Sequence, residues 1–149
     1  MAIEGHATAE IHAPIDEVFA VAADVEGSPR WQPNFKVADA RERDAEGHQV
    51  GVHVEIDAKV RTIKCELRFA YDEPHGLTWH QERGDLKDLH GSWAFEDLGG
   101  NRTRATYRLS VDLGRVLGLV IRGPLVGVLR HQLAETMPDR LKEFVESSR

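Results

Sequence analysis

Apolar and polar positions alternate with a period of two over much of the chain. Ile63, Cys65, Leu67, Phe69 and Tyr71 share one face of a run, opposite Lys64, Glu66, Arg68 and Ala70. Val50, Val52, Val54 and Ile56 oppose His53, Glu55 and Asp57. Leu89, Gly91, Trp93 and Phe95 oppose His90, Ser92, Ala94 and Glu96, and Ala105, Tyr107, Leu109 and Val111 oppose Thr106, Arg108, Ser110 and Asp112. The first segment, from Ile3 to Ala13, does the same with Gly5, Ala7, Ala9 and Ile11 against His6, Thr8, Glu10 and His12. This spacing predicts half-buried strands. Turn signals at Asp44-Ala45-Glu46-Gly47, Glu73-Pro74-His75-Gly76, Gly84-Asp85 and Gly99-Gly100-Asn101 separate them into six strands after the first. One-sided strands on short connections belong to an antiparallel sheet with one covered face. The run Phe35–Arg43 is ambiguous, because Val37 falls on one face and Ala38 and Ala40 on the other.

Two stretches change period. In Pro14–Ala23, Ile15, Val18, Phe19 and Ala22 form a helical stripe, and Asp16 and Glu17 suit the positive end of the helix dipole. Gly27, Ser28, Pro29 and Pro33 then permit only short helical pieces around Trp31, Gln32 and Asn34. From Leu125 onward, apolar residues recur at spacings of three and four through Leu129, Leu133, Met137, Leu141 and Val145. Pro138 lies inside that pattern and is expected to bend or break the helix. This last helix is the only long amphipathic element left to cover the sheet. The expected architecture is α+β: a curved antiparallel sheet of about seven strands wrapped around a long C-terminal helix, with short helices between strands 1 and 2. One domain over residues 1–149 is expected.

Composition narrows the function. The chain carries 19 Lys and Arg against 25 Asp and Glu, a net charge of −6, with no basic block. That balance is a poor match for nucleic acid and for an anionic membrane surface. A lone cysteine, Cys65, cannot form an intramolecular disulfide or, alone, a zinc or iron–sulfur site. The N-terminal MAIEGHATAEIHA has neither a basic region nor an apolar core, so no secretory signal and a cytoplasmic location are expected. The longest apolar stretch, Val116–Leu129, is interrupted by Arg122, Pro124 and glycines and is too short to span a bilayer. No nucleotide-binding, nucleophile-elbow or zinc-protease motif is present. No cofactor or metal is expected.

Several stretches resemble a known superfamily. They are the junction Ile11-His12-Ala13-Pro14-Ile15-Asp16-Glu17-Val18-Phe19, then Trp31-Gln32-Pro33, then Gly91-Ser92-Trp93-Ala94-Phe95-Glu96 with Gly99-Gly100-Asn101-Arg102-Thr103, and finally Leu141-Lys142-Glu143-Phe144-Val145-Glu146. With the element order, they resemble the helix-grip fold of the SRPBCC superfamily, also called START or Bet v-type, and within it the bacterial polyketide cyclase/dehydrase and lipid-transport group. The resemblance implies a cavity between sheet and helix that binds a hydrophobic small molecule, lipid or polyketide-like. Its candidate lining is Val54, Ile63, Cys65, Leu67, Phe69, Trp79, Gln81, Trp93, Phe95, Tyr107 and Leu109 on the sheet. Leu125, Leu129, Gln132 and Leu133 would add the helix side, with Trp31 and Phe35 at the mouth. A mostly filled core is the competing reading of the same residues.

If the chain is a cyclase or dehydrase, Tyr107 is a candidate hydrogen-bond donor to a carbonyl and Arg83 a candidate stabiliser of an enolate, with Gln81 beside them. The alternatives are a tyrosine packed on Trp93 and a solvated arginine. His80 and His90 are equally far from the turn at Asp85 and are expected to face each other outside the sheet, more as solvated residues than as metal ligands. Cys65 is expected to be a packing residue. The segment Gly114–Leu125 has three readings: a short helix gating the cavity, a surface for a transient membrane or protein contact, or a loop with one buried turn. An interaction module is therefore the third functional class, and a monomer or homodimer fits each.

Overall fold

The computed structural model describes residues 2–149. Seven strands form one antiparallel sheet: β1 (Ala2–Ile11), β2 (Phe35–Arg43), β3 (Gln49–Asp57), β4 (Thr62–Asp72), β5 (Gly76–Gly84), β6 (Asp88–Asp97) and β7 (Thr103–Asp112). Their order is β1-β7-β6-β5-β4-β3-β2, so each strand after β2 pairs with its predecessor and β1 closes on β7. Helix α1 (Ile15–Ala23) and a 3-10 turn (Val25–Arg30) connect the two edge strands, β1 and β2. After β7 come α2 (Gly114–Val120), α3 (Pro124–Arg130), a π-turn (His131–Glu135) and α4 (Met137–Ser147).

The alternation decides which face is covered. Val52, Val54 and Ile56 of β3, Ile63, Cys65, Leu67 and Phe69 of β4, and Trp93 and Phe95 of β6 are all buried, while their sequence neighbours reach solvent. β2 is irregular for a physical reason. Bulges at Phe35/Val37 and Ala40/Glu42 reset its register against β3. They turn Ala38 and Ala40 inward and leave Val37 exposed.

The C-terminal segment runs as a helix from Pro124, as the apolar spacing predicts, but it is not smooth. Pro138 lacks the N–H that a continuous helix would send to the carbonyl of Ala134. The chain answers with a π-turn, in which Thr136 N–H donates to the carbonyl of His131 at 3.0 Å, and Pro138 then sits in the first turn of α4. This segment packs on β1, where Gly5 leaves room for it: a Cβ on Gly5 would lie 2.7 Å from the Cβ of Ala134. α1 seats Val18, Phe19 and Ala22 in the core, and Phe19 meets Tyr71 and Phe95 edge-on, each at 6.4 Å. No single helix is long and apolar enough to cross a membrane, and α2 meets the Pro124–Ser147 helix at a bend of 108°.

Candidate functional site

A cavity of about 70 Å³ lies between the sheet and the C-terminal segment. Of the residues expected to line it, Phe35, Ile63, Leu67, Phe69, Trp79, Trp93, Tyr107, Leu109, Leu129 and Leu133 do so. Trp93 and Tyr107 are directly opposed on β6 and β7, with ring centroids 4.7 Å apart. Trp79 lies 5.6 Å from Tyr107 and 5.7 Å from Phe69. Neighbouring strands thus deliver one aromatic wall.

Other expected residues sit elsewhere. Val54, Cys65 and Phe95 face inward but are covered by neighbouring core side chains and do not reach the cavity. Trp31 is buried against Trp93, at 6.3 Å, behind the wall. Leu125 packs at the edge of the core. Gln81 is spent on structure: its Nε2 donates to the carbonyl of Leu86 at 2.8 Å and its Oε1 accepts the Leu86 N–H at 3.3 Å, closing the β5–β6 turn. Gln132 accepts from Asn34 Nδ2 at 3.3 Å. Arg83 is exposed, so it cannot act inside the cavity.

Besides Ala22, Val25 and Ala134 on the helical segments, the lining missed by sequence reasoning is of two kinds. Ile3, Leu77, Leu89 and Val111 continue the inward faces of their strands, and the period of two was enough to find them. Ala58, Leu86, Leu113 and Ile121 come from turns and corners, where no periodicity places a side chain. The polar lining is Ser28, Gln32, Tyr107 and Arg130. Arg130 uses its Nε to reach the carbonyl of Glu4 at 3.0 Å. The side chains of Ser28, Gln32 and Tyr107 make no hydrogen bond among the described residues, and since no fully enclosed side-chain polar atom there lacks a partner, their polar atoms keep contact with open space. All three residues line the cavity. Burial pushes the Tyr107 hydroxyl well above its ordinary value of 10, so it stays protonated and acts as a donor.

Among the described residues, groups outside the cavity add no second centre. Burial pushes the Cys65 thiol up to about 12, far from a reactive thiolate. His80 and His90 are opposed on the outer face, as their distance from the turn predicts, and His90 Nδ1 lies 3.0 Å from Asp88. Asp44, Glu46 and His48 bring potential ligand atoms within 4.8 Å of one another at an exposed turn. There Asp44 Oδ1 already accepts the N–H groups of Glu46 and His48 at 2.9 Å.

Among solved structures, a START superfamily protein from Mycobacterium smegmatis is 18% identical, with a TM-score of 0.80 over 98% of this chain and 99% of that one. A protein from Thermus thermophilus is 20% identical, with a TM-score of 0.81 over 97% of this chain and 98% of that one. An aromatase/cyclase from a Streptomyces species is 20% identical, with a TM-score of 0.67 over 99% of this chain and 84% of that one. At such identities the likeness establishes the fold. No curated protein matches the chain in sequence. The model of the family "polyketide cyclase / dehydrase and lipid transport" matches residues 11–141, nearly the whole of the folded unit, and the chain belongs to that family.

Proposed function

We propose that the protein binds one hydrophobic small molecule, lipid or polyketide-like, in the cavity between the sheet and the C-terminal segment. The observation that carries this reading is the pairing of an apolar aromatic wall with three polar lining residues, Ser28, Gln32 and Tyr107, whose side chains have no hydrogen-bond partner among the described residues and keep contact with open space. A filled core would satisfy such groups internally. A ligand site is mostly apolar with a few polar groups that orient the guest. The guest that fits carries at least one carbonyl or hydroxyl oxygen, to accept from Tyr107 or Gln32.

Size sets a condition. Ligand sites for drug-sized molecules are roughly 300–1,000 Å³, several times the cavity of about 70 Å³. Entry of such a guest requires the cover to move. Burying about 400 Å² of apolar ligand supplies about 10 kcal/mol gross, and ordering and association reduce this to micromolar affinity. A second reading, a cyclase or dehydrase, draws on the same Tyr107 hydroxyl. It ranks lower because no Asp, Glu or His is among the described residues that line the cavity, leaving no evident base.

The test is native mass spectrometry of the purified protein, organic extraction, and thermal shift with fatty acids and polycyclic aromatic ketones. A co-purifying apolar molecule or a saturable shift supports the reading. A clean mass together with no shift from any member of the panel overturns it.

A further inference from the structure

Helix α2 is apolar on both sides. Leu117 and, one turn on at the helix end, Ile121 are buried, and Ile121 lines the cavity. Val116, Leu119 and Val120 have the spacing of a single opposite face, and they are 72%, 63% and 51% exposed. The turn between β3 and β4 adds Val60, 53% exposed. Lys59 holds that turn in the left-handed region at φ 72°, and the Val60 N–H is tied to the carbonyl of Ala58 at 2.8 Å. A helix apolar all round is normally buried all round, and a projecting apolar patch marks a contact surface.

The rim of this patch is basic. Arg61, Lys87 and Arg115 line one groove with Val116, Lys59 precedes Val60, and Arg122 follows α2. None of these five forms a salt bridge among the described residues. The acids nearby are Asp57, Asp85, Asp88 and Asp112: Asp57, Asp85 and Asp112 each direct an oxygen to a backbone N–H, of Lys59, Lys64 and Gly114 respectively, and Asp88 lies 3.0 Å from His90 Nδ1. The cations outnumber these acids although the chain as a whole carries −6. Charge acts within a Debye length, about 8–10 Å at physiological salt. The local sign therefore governs a docking event, and the acidic remainder would orient this end toward an anionic plane.

We infer that α2 and the β3–β4 turn form a docking surface for an anionic lipid bilayer, with Val116, Leu119, Val120 and Val60 entering the acyl boundary and the surrounding cations meeting the headgroups. Charge complementarity selects this occupant. A second copy docked through the same face would set one net-positive rim against another, which disfavours an isologous interface. The mode is interfacial, since α2 is too short to span and bends by 108° into the next helix. The helix that carries the surface is flanked by Leu113 and Ile121, which both line the cavity, so docking would act next to its wall. The docking itself holds whatever the cavity contains.

The test is flotation of the full chain with phosphatidylcholine vesicles, with and without phosphatidylserine, at low and high salt. Binding is expected only with phosphatidylserine, falling at least about tenfold between about 0.05 and 0.5 M salt. Leu119→Asp and the pair Arg115→Glu/Arg122→Glu should each weaken it by about tenfold or more. These positions are exposed, so unchanged thermal midpoints are expected, and Leu119→Ser serves if the aspartate variant unfolds. The inference is overturned by absence of binding to either vesicle, by equal binding to both, or by variants that bind as the parent does. It is also overturned if Leu119→Asp only converts a dimer to a monomer in light scattering, which would assign the face to a second copy.

Discussion

Trp79 lies flat over Gly91, its pairing partner on β6: a Cβ built on Gly91 would sit 2.5 Å from the indole Cζ2 and 2.8 Å from Nε1. The missing side chain is thus filled by the neighbouring strand's indole, and this fixes the angle at which Trp79 meets Phe69 and Tyr107. Gly91→Ala would force the indole off its seat. It is expected to destabilise by about 1–3 kcal/mol, the range for overpacking a tight core. In a Trp79→Leu background the same change should cost less, because the clash is gone. Urea denaturation of the four proteins of this cycle measures the coupling, and additive costs would show that the indole does not depend on Gly91.

The Tyr107 hydroxyl gives a test of ligand orientation. Tyr107→Phe removes a polar group with no hydrogen-bond partner among the described residues, so stability should change by less than about 0.5 kcal/mol or rise slightly. Affinity for a ligand with a carbonyl should fall about tenfold, the worth of one good hydrogen bond, while a hydrocarbon ligand of similar size should bind unchanged. Titration calorimetry with a matched ketone and hydrocarbon decides it. Equal losses for both would assign Tyr107 a packing role only. If the protein proves to be a cyclase, the same variant should lose turnover while retaining binding.

How far the sequence reveals this site depends on where periodicity operates. Within β4, β6 and β7 a period of two is enough to place Leu67, Trp93 and Tyr107 inside, because a sheet with one covered face leaves no other choice. In β2 register shifts at Phe35/Val37, Ala40/Glu42 and Glu42/Arg43 reset the phase, and the mixed facing of Val37 and Ala38 is the only sequence sign of them. The C-terminal helix is legible from its apolar spacing, but Pro138 indicates a break without indicating that a π-turn ahead of it would absorb the defect. Facing inward and lining a void are different properties. Cys65 and Leu67 share one face of β4, yet only Leu67 reaches the cavity, since the void is set by neighbours from other elements. Gln81 shows the same limit: its strand position is readable, but the Leu86 backbone that consumes its amide belongs to the following turn.

Stability should depend on pH with a maximum on the mildly acidic side. His53 lies between two carboxylates: Nδ1 meets Glu66, and Nε2 is 2.9 Å from Glu55. Hydrogen bonds to Glu66 first and then Glu55 raise its pKa above the ordinary 6.5, and Glu73 and Asp44 do the same for His48. A group raised on folding adds stability below its unfolded value and loses that contribution as pH climbs through the folded value. Glu146 has the opposite sign. The His12 N–H and the Lys142 ammonium hold it below 4.5, so its contribution is present above that value and is lost as pH falls. The thermal midpoint is expected to be highest between about pH 4.5 and 6.5. His53→Gln should flatten the decline above about pH 6.5. Identical slopes for parent and variant there would remove His53 as a source.

Ile121 tests whether the corner between α2 and α3 is the way into the cavity. It is fully buried at 0% exposure, lines the cavity, and is held by its N–H to the carbonyl of Leu117 at 2.8 Å. On either side of it, a Cβ on Gly118 or Gly123 would meet nothing within 4 Å, so little packing resists movement of this corner other than Ile121 itself and Leu117. Ile121→Ala should destabilise by about 2–5 kcal/mol, as a large-to-small change at a buried site does. The same change weakens the plug, so a fluorescent fatty acid should leave faster in stopped-flow displacement, by more than its equilibrium affinity falls. Leu129→Ala is the control. Leu129 lines the same cavity from α3 and is equally buried, but it does not sit at the corner. It should lower stability similarly without speeding release. If both variants release ligand at the same rate, the corner is not the gate.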